Sequence, residues 1–247
     1  MLAFSAKKKI KLKFSMSQDI SRSANRLLAT LPQSEYLRLE PYLTRVSLPA
    51  GTVFYEASET IKTVYFPNTA LISLVSVLKD GLSTEIALVG GTGMVGLSVI
   101  LGSSISPNRA IVQVADSAIK ISAIALKQEF DRGGALQQIL LTYIATRLNE
   151  TAQLAVCNRH HTIEERLARW LLIVRDLTQS NRLPLTQEFI SNMLGVNRSG
   201  VTIAAGILQQ AGIIRYSRGI ITIIDTQALE NVACECYQLY HDNFYRS

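Results

Sequence analysis

Three features of the chain predict an α+β architecture: a β-rich N-terminal half, one long helix, and a C-terminal winged helix-turn-helix. From Val46 to about Ile124, short β-branched runs alternate with turn residues, as in Thr52-Val53-Phe54-Tyr55, Thr63-Val64-Tyr65-Phe66 and Thr84 to Val89. Many short strands at regular spacing predict a sandwich or barrel, here a jelly roll. From Gly134 to Arg159 the pattern is helical without interruption. Residues 186–224 then read as two short helices around Leu194-Gly195-Val196, followed by a hairpin from Ile213 to Ile224. Two helices joined by a three-residue glycine turn outline a helix-turn-helix, and the hairpin supplies a wing.

The expected boundaries are a basic, disordered tail at 1–25, a β-roll at 26–133, a dimerisation helix at 134–161, and a winged-helix domain with a C-terminal helix at 162–247. The tail holds Lys7, Lys8, Lys9, Lys11 and Lys13 without a signal-peptide core, and either Met1 or Met16 serves as the start. Leu27, Leu28 and Leu31 before Pro32 predict a short helical region over 26–45. Within the roll, Asp80-Gly81 predicts a two-residue hairpin turn.

Along the long helix, Leu141, Ile144, Leu148, Thr151 and Ala155 follow the 3-4 spacing of a helix-pair seam. Leu136, Leu140 and Tyr143 form a second stripe suited to packing on the roll. Thr162 and Glu165 then form a capping box that starts the next helix.

In the reader, Thr186 and Asn197 suit N-caps, and Gly195 suits a left-handed turn. Val201, Ala204, Ala205 and Leu208 share a core-facing stripe, which turns Arg198, Ser199, Thr202, Gly206 and Gln209 outward. Arg198, in the first turn, can donate two hydrogen bonds to guanine. Ser199 and Thr202 can bond a base or phosphate, and Ile203 can touch a thymine methyl. Arg215 and Arg218 on the hairpin read as phosphate contacts. Thr186 and Gln187, which open the first helix, complete the candidate DNA-contacting set. Amphipathic helix pairs occur in many proteins that bind no DNA, so charge has to decide. Arg182, Arg198, Arg215 and Arg218 face the single acid Glu188 between 181 and 219. Gly200 and Gly206 inside a helix each cost about 1 kcal/mol relative to alanine; close backbone approach to DNA is one reason to keep them.

The 247 residues, 48% hydrophobic and 18% charged, describe a well-buried globular chain with net charge +6, compatible with a polyanionic partner. No apolar run is long enough to span a membrane. Three cysteines, Cys157, Cys234 and Cys236, argue against a disulfide framework and for a reducing, cytoplasmic setting. Cys234-Glu235-Cys236 lacks a matching pair, so zinc would require His241 or Cys157 to converge on it, and no metal is expected. His160 and His161, near a helix boundary, read as surface or capping residues. No nucleophile–base order, carboxylate pair or phosphate-loop lysine stands out, so the chain is not read as an enzyme.

This order of parts resembles the Crp/Fnr family of bacterial transcription regulators over residues 26–224. The segments carrying the likeness are Thr186 to Arg215 and Leu48-Pro49-Ala50-Gly51-Thr52-Val53-Phe54-Tyr55. The resemblance implies a roll that senses a small molecule, a homodimer along the long helix, a palindromic DNA site near a promoter, and RNA polymerase as a further partner. Arg198 matches the family's base-reading arginine. Ser199 and Ile203 replace a glutamate and a second arginine of the cyclic-AMP-binding members, so the half-site should differ. The effector pocket maps onto Gly96, Leu97, Arg109, Ala110 and Thr151. Arg109 would keep a phosphate partner, whereas Leu97 removes the carboxylate that accepts the ribose hydroxyl, and Ala152 replaces a serine. A buried hydroxyl left unpaired costs roughly 1–3 kcal/mol, so no cyclic AMP is expected and the effector is another molecule or none. The cysteine set of the iron–sulfur branch is absent. Two alternatives stay open: a cyclic-nucleotide-responsive regulator, and a small-molecule receptor whose winged helix contacts protein.

Overall fold

Seven strands pair into two antiparallel sheets that enclose the first core. The structure, a computed structural model, describes residues 25–246, with side chains through His241. The expectations for the basic tail therefore fall almost wholly outside the described residues. Helices α1 (Arg26–Ala29) and α2 (Gln33–Leu39) precede β1 (Thr44–Leu48), β2 (Val53–Tyr55), β3 (Thr63–Pro67), β4 (Leu71–Val77), β5 (Ser83–Val89), β6 (Arg109–Val114) and β7 (Asp116–Ser122). One sheet has the order β1-β7-β3 and the other β2-β6-β4-β5. Period-2 alternation sends Val64, Phe66, Ile72, Val112, Ile119 and Ile121 inward, and Leu28 and Leu31 join them in the same core.

Two local expectations need correction. The 26–45 region is not helical throughout, because β1 begins at Thr44. The turn at Asp80-Gly81 is longer than two residues. Leu78 pairs with Leu82 (N···O 2.8 Å), Gly81 N donates to Leu78 O at 3.0 Å, and Gly81 alone takes a positive φ of 88°. Three-residue loops with a left-handed glycine at the last position are the next most common hairpin after the two-residue type. Asp80 therefore escapes the left-handed strain that a two-residue turn would impose on it.

Helix α3 (Ala123–Asp131), which the strand texture did not announce, leads to α4 (Ala135–His160). The N-terminus of α4 has no cap of its own, since Gly134 carries no side chain. Glu35 of α2 serves instead, accepting from Ala135 N at 2.9 Å and Leu136 N at 2.7 Å. A carboxylate at this helix end satisfies two orphan donors and meets the positive pole of the dipole. Those two backbone bonds hold the Glu35 carboxyl below its ordinary range.

On α4, Leu136 and Leu140 are buried in the roll's core, with Tyr143 packed beside them. Ile144 joins that core too, at 8% exposure, and this corrects the seam. Leu141 (48% exposed), Ala145, Leu148 (66%), Ala152 and Ala155 are the outward stripe, shifted by one residue from the Ile144-containing pattern. The 3-4 spacing counted from Leu141 admits either a +3 or a +4 step, and packing on the roll selects the second.

The second core gathers α5 (Ile163–Thr178), β8 (Arg182–Pro184), α6 (Gln187–Leu194), α7 (Arg198–Gln210), β9 (Ile214–Ser217), β10 (Ile220–Ile223) and α8 (Thr226–Val232). Thr162 and Glu165 form the expected capping box. The wing has a third strand, β8, in the order β8-β10-β9. Leu71, Val75 and Leu88, from β4 and β5, belong to this second core, so the reader docks directly on the outside of the roll. Helix α9 (Cys236–Arg246) then packs on both α4 and α5. Among the described residues no helix is long and apolar enough to cross a membrane.

Candidate nucleic-acid interface

The reader's second helix is held by local chemistry that leaves its first turn open to solvent. Thr186 caps α6 through Phe189 N at 3.1 Å. Gly195 then takes φ 63° to turn the chain, where an added Cβ would lie 2.8 Å from Thr84 Oγ1. Asn197 caps α7 by accepting from Gly200 N at 2.7 Å and also accepts from Ser199 Oγ at 2.9 Å. Val201, Ala204, Ala205 and Leu208 are buried in the core.

The wing turns on Arg218 (φ 50°) and Gly219 (φ 75°), both left-handed, between β9 and β10. Two successive positive φ values are the mark of a type I′ hairpin. Gln209 joins helix and wing, its Oε1 accepting from Tyr216 N at 2.7 Å, so this outward residue has a structural tie. Tyr216 Oη donates to Leu185 O at 3.1 Å. Burial pushes the Tyr216 hydroxyl up in pKa, partly offset by the charge of Arg198.

Between α7 and the wing runs a groove lined by Thr186, Gln187, Arg198, Tyr216, Ser217, Arg218 and Gly219, none of them acidic. Four of the nine candidate DNA residues thus meet around one surface. Asn197, Ser199, Thr202 and Ile203 lie on the exposed face of α7, with Ile203 63% exposed. Thr202 Oγ1 is partly engaged already, donating to Arg198 O at 3.0 Å and lying 3.2 Å from Gln187 Oε1. Arg215 is exposed on β9 but does not line the groove. Gly200 has a packing reason in place of the DNA-approach reading: an added Cβ would sit 2.9 Å from Ile163 Cδ1. Gly206 has open space around it, and nothing in the structure explains it.

The effector residues are placed differently from the expectation. Arg109 is engaged by Glu56 in a two-point ion pair of 2.7 and 2.8 Å, so its guanidinium already holds a carboxylate where a phosphate was expected. That contact pulls the Glu56 carboxyl down in pKa. Gly96 (φ 104°) is closely packed, with an added Cβ meeting Tyr55 Oη and Val64 Cγ2 at 3.1 Å. Ala110 is fully buried, and Leu97 packs on the same core. Thr151 is exposed on α4 and donates to Arg147 O at 2.8 Å. Two cavities flank α4, and neither is lined by any of these five residues.

Cys157 does converge on the C-terminal cysteines, and His161, read from the sequence as a surface or capping residue, joins them where His241 was the histidine considered. Cys157 and His161, at the end of α4, meet Cys234 and Cys236 from the α8–α9 connection. The spacing Cys-x-x-x-His over one helical turn was the signal that could have paired with Cys-x-Cys.

Residues 165–232 match the Crp-like helix-turn-helix domain. The C-terminal unit is a Crp-like helix-turn-helix domain. The chain matches no curated protein sequence. Among solved structures it resembles a Crp/Fnr-family protein from Eubacterium rectale (TM-score 0.69, 21% identity, covering 83% of this chain and 96% of that one). FixK2 from Bradyrhizobium japonicum gives a TM-score of 0.67 at 19% identity, over 78% and 98% of the two chains. The c-di-GMP-responsive regulator CLP of Xanthomonas campestris gives 0.65 at 15%, over 78% and 99%. At these identities the likeness establishes a shared fold: the N-terminal roll and the C-terminal helix-turn-helix domain are arranged as in those structures.

Proposed function

We infer that this Crp-like protein is a homodimeric, sequence-specific transcription regulator whose roll is a degenerate input domain, using an effector other than cyclic AMP or none. The observation that carries the reading is the acid-free groove in which Arg198 of α7 and Arg218 of the wing face one open surface. In this reading Arg198 reads a base edge and Arg218 holds phosphate. The outward stripe from Leu141 to Ala155 supplies an apolar face for a second copy. Two α7 helices would then enter successive major grooves about one helical turn apart, roughly 10 bp. The Arg109–Glu56 pair supports the absence of cyclic AMP, because a cyclic phosphate would have to displace a bidentate carboxylate.

The test is binding to the DNA upstream of the protein's own gene at two salt concentrations, with and without cyclic AMP. Tight, salt-sensitive binding without nucleotide is the expected result. Binding only with cyclic AMP would return the second-messenger reading. A second reading, protein contacts through the winged helix, is favoured by Ile203 and Ile207 on the open face of α7, 63% and 47% exposed. Absence of DNA binding at both salt concentrations would select it.

A further inference from the structure

The geometry points to a zinc site made by Cys157, His161, Cys234 and Cys236, which fastens the end of α4 to the connection between α8 and α9. The four donor atoms all lie within 4.8 Å of one another. Cys157 Sγ is 3.6 Å from Cys234 Sγ, and Cys236 Sγ is 3.6 Å from His161 Nδ1. A tetrahedral zinc with Zn–S of about 2.3 Å and Zn–N of about 2.0–2.1 Å sets S···S edges of about 3.8 Å and S···N edges of about 3.5 Å. Both measured edges sit within a few tenths of those values. A disulfide needs its sulfurs at about 2.05 Å, so the Cys157–Cys234 pair stands at the metal-site separation.

The surroundings of the donors are those of ligands. His161 Nε2 lies 3.1 Å from Glu235 Oε2, which leaves the Nδ1 lone pair turned toward Cys236. A carboxylate on the far nitrogen of a histidine fixes ring and tautomer for coordination by the near one. Gln153 Nε2 donates to Cys236 Sγ at 3.0 Å, a contact that favours thiolate. Nearby charge agrees. Three thiolates, a neutral imidazole and Zn²⁺ sum to −1. On the same side of α5, Arg166 and Arg169 each bury an Nε with no hydrogen-bond partner. Three thiols and an imidazole are soft and borderline donors that select zinc over magnesium or calcium. Loading releases the three thiol protons to solvent.

The location gives the site a consequence. Cys157 lies in the last turn of α4, and His161 is the first of the two residues between α4 and α5. The other two ligands lead into α9, which packs on both helices. An ion here joins the dimerisation helix, its junction with the reader, and the C-terminal brace into one unit.

The test uses the full chain, purified under reductant, stripped with a chelator, and titrated with Zn²⁺ and separately with Co²⁺. The expected result is one equivalent per chain, a tetrahedral Co²⁺ spectrum with thiolate-to-metal charge transfer, and a higher Tm when loaded. Cys157→Ser and Cys236→Ser should abolish the charge-transfer signal. Since buried thiol replacements can disturb folding, Glu235→Gln on the surface provides the second variant: metal affinity should fall by about 10–100-fold with the circular dichroism unchanged. Absence of stoichiometric uptake by the folded, reduced chain would overturn the site. So would uptake that survives both Cys157→Ser and Glu235→Gln, or a Cys157–Cys234 disulfide whose reduction restores no zinc binding.

Discussion

Glu85 Oε1 accepts a hydrogen bond from Trp170 Nε1 at 3.0 Å, across the boundary between the roll and the reader. Glu85 comes from β5 and Trp170 from α5, and both are buried. Ser73 of β4 donates to the other carboxylate oxygen at 2.5 Å. The seam between the roll and the helix-turn-helix domain is therefore polar at one buried point inside an otherwise apolar contact made by Leu71, Val75 and Leu88. A buried carboxyl is tolerated only with its partners in place. Movement of β5 against α5 must break the Trp170 bond, so the docking has a defined register.

That carboxyl should make the chain's stability pH-dependent. Burial pushes Glu85 from its ordinary 4.5 up to about 7, against the opposing pull of Ser73, Trp170, Arg169 and Arg147. The folded state holds a proton that the unfolded chain gives up between those two values. Stability from Glu85 is complete below pH 4.5, falls as pH rises toward 7, and is absent above it. The full effect is on the order of 3 kcal/mol. Glu85→Gln keeps an acceptor for Trp170 and reverses the Ser73 contact, its amide donating to Ser73 Oγ as the protonated acid would, so urea denaturation of the variant should lose this pH slope. An unchanged slope would assign it to another group.

Arg198 and Arg218 should differ in kind. Arg198→Ala should cost about 1–3 kcal/mol and relax choice at one base pair, whereas Arg218→Ala should weaken all sequences alike and lower the salt slope by about one. Binding-site selection followed by salt titration separates the two. Equal weakening of every site by Arg198→Ala would remove base readout from that residue.

The contrast between these sites shows where sequence reasoning succeeds. Thr186, Gly195, Asn197 and the Thr162–Glu165 box were legible because caps and turns are decided within a few residues, and each is found as expected. The Arg109–Glu56 pair was not, since 53 positions separate partners that only the sheet pairing brings together. Ile144 was misassigned because helical spacing gives a stripe but not which neighbour covers it. The Cys157–Cys234 approach, 77 positions apart, depends on how α9 returns to α4.

The two glycines of α7 make a paired test. Gly206→Ala meets open space and should stabilise the reader by about 1 kcal/mol through helix propensity. Gly200→Ala gains the same propensity but requires the Ile163 side chain to rotate away from 2.9 Å, and it crowds the Asn197 cap at 3.1 Å, so its net gain should be smaller. Thermal melts rank them. If Gly206→Ala stabilises the fold yet weakens DNA binding, backbone approach to DNA is the reason for Gly206; unchanged binding would dismiss that reason.

Two substitutions on α4, four residues apart, should separate folding from assembly. Ile144→Ala empties a site buried against the roll and should cost about 2–5 kcal/mol of stability. Leu148→Glu replaces a side chain that is 66% exposed in the single chain, so it should leave the monomer's fold intact. In a dimer paired along the outward stripe, it would place two carboxylates in the seam, where a buried unpaired charge is strongly unfavourable. Sedimentation velocity should then show a monomer of unchanged secondary structure whose DNA affinity is reduced, because each half-site must be bound separately. A Leu148→Glu protein that still sediments as a dimer would move the interface off this stripe.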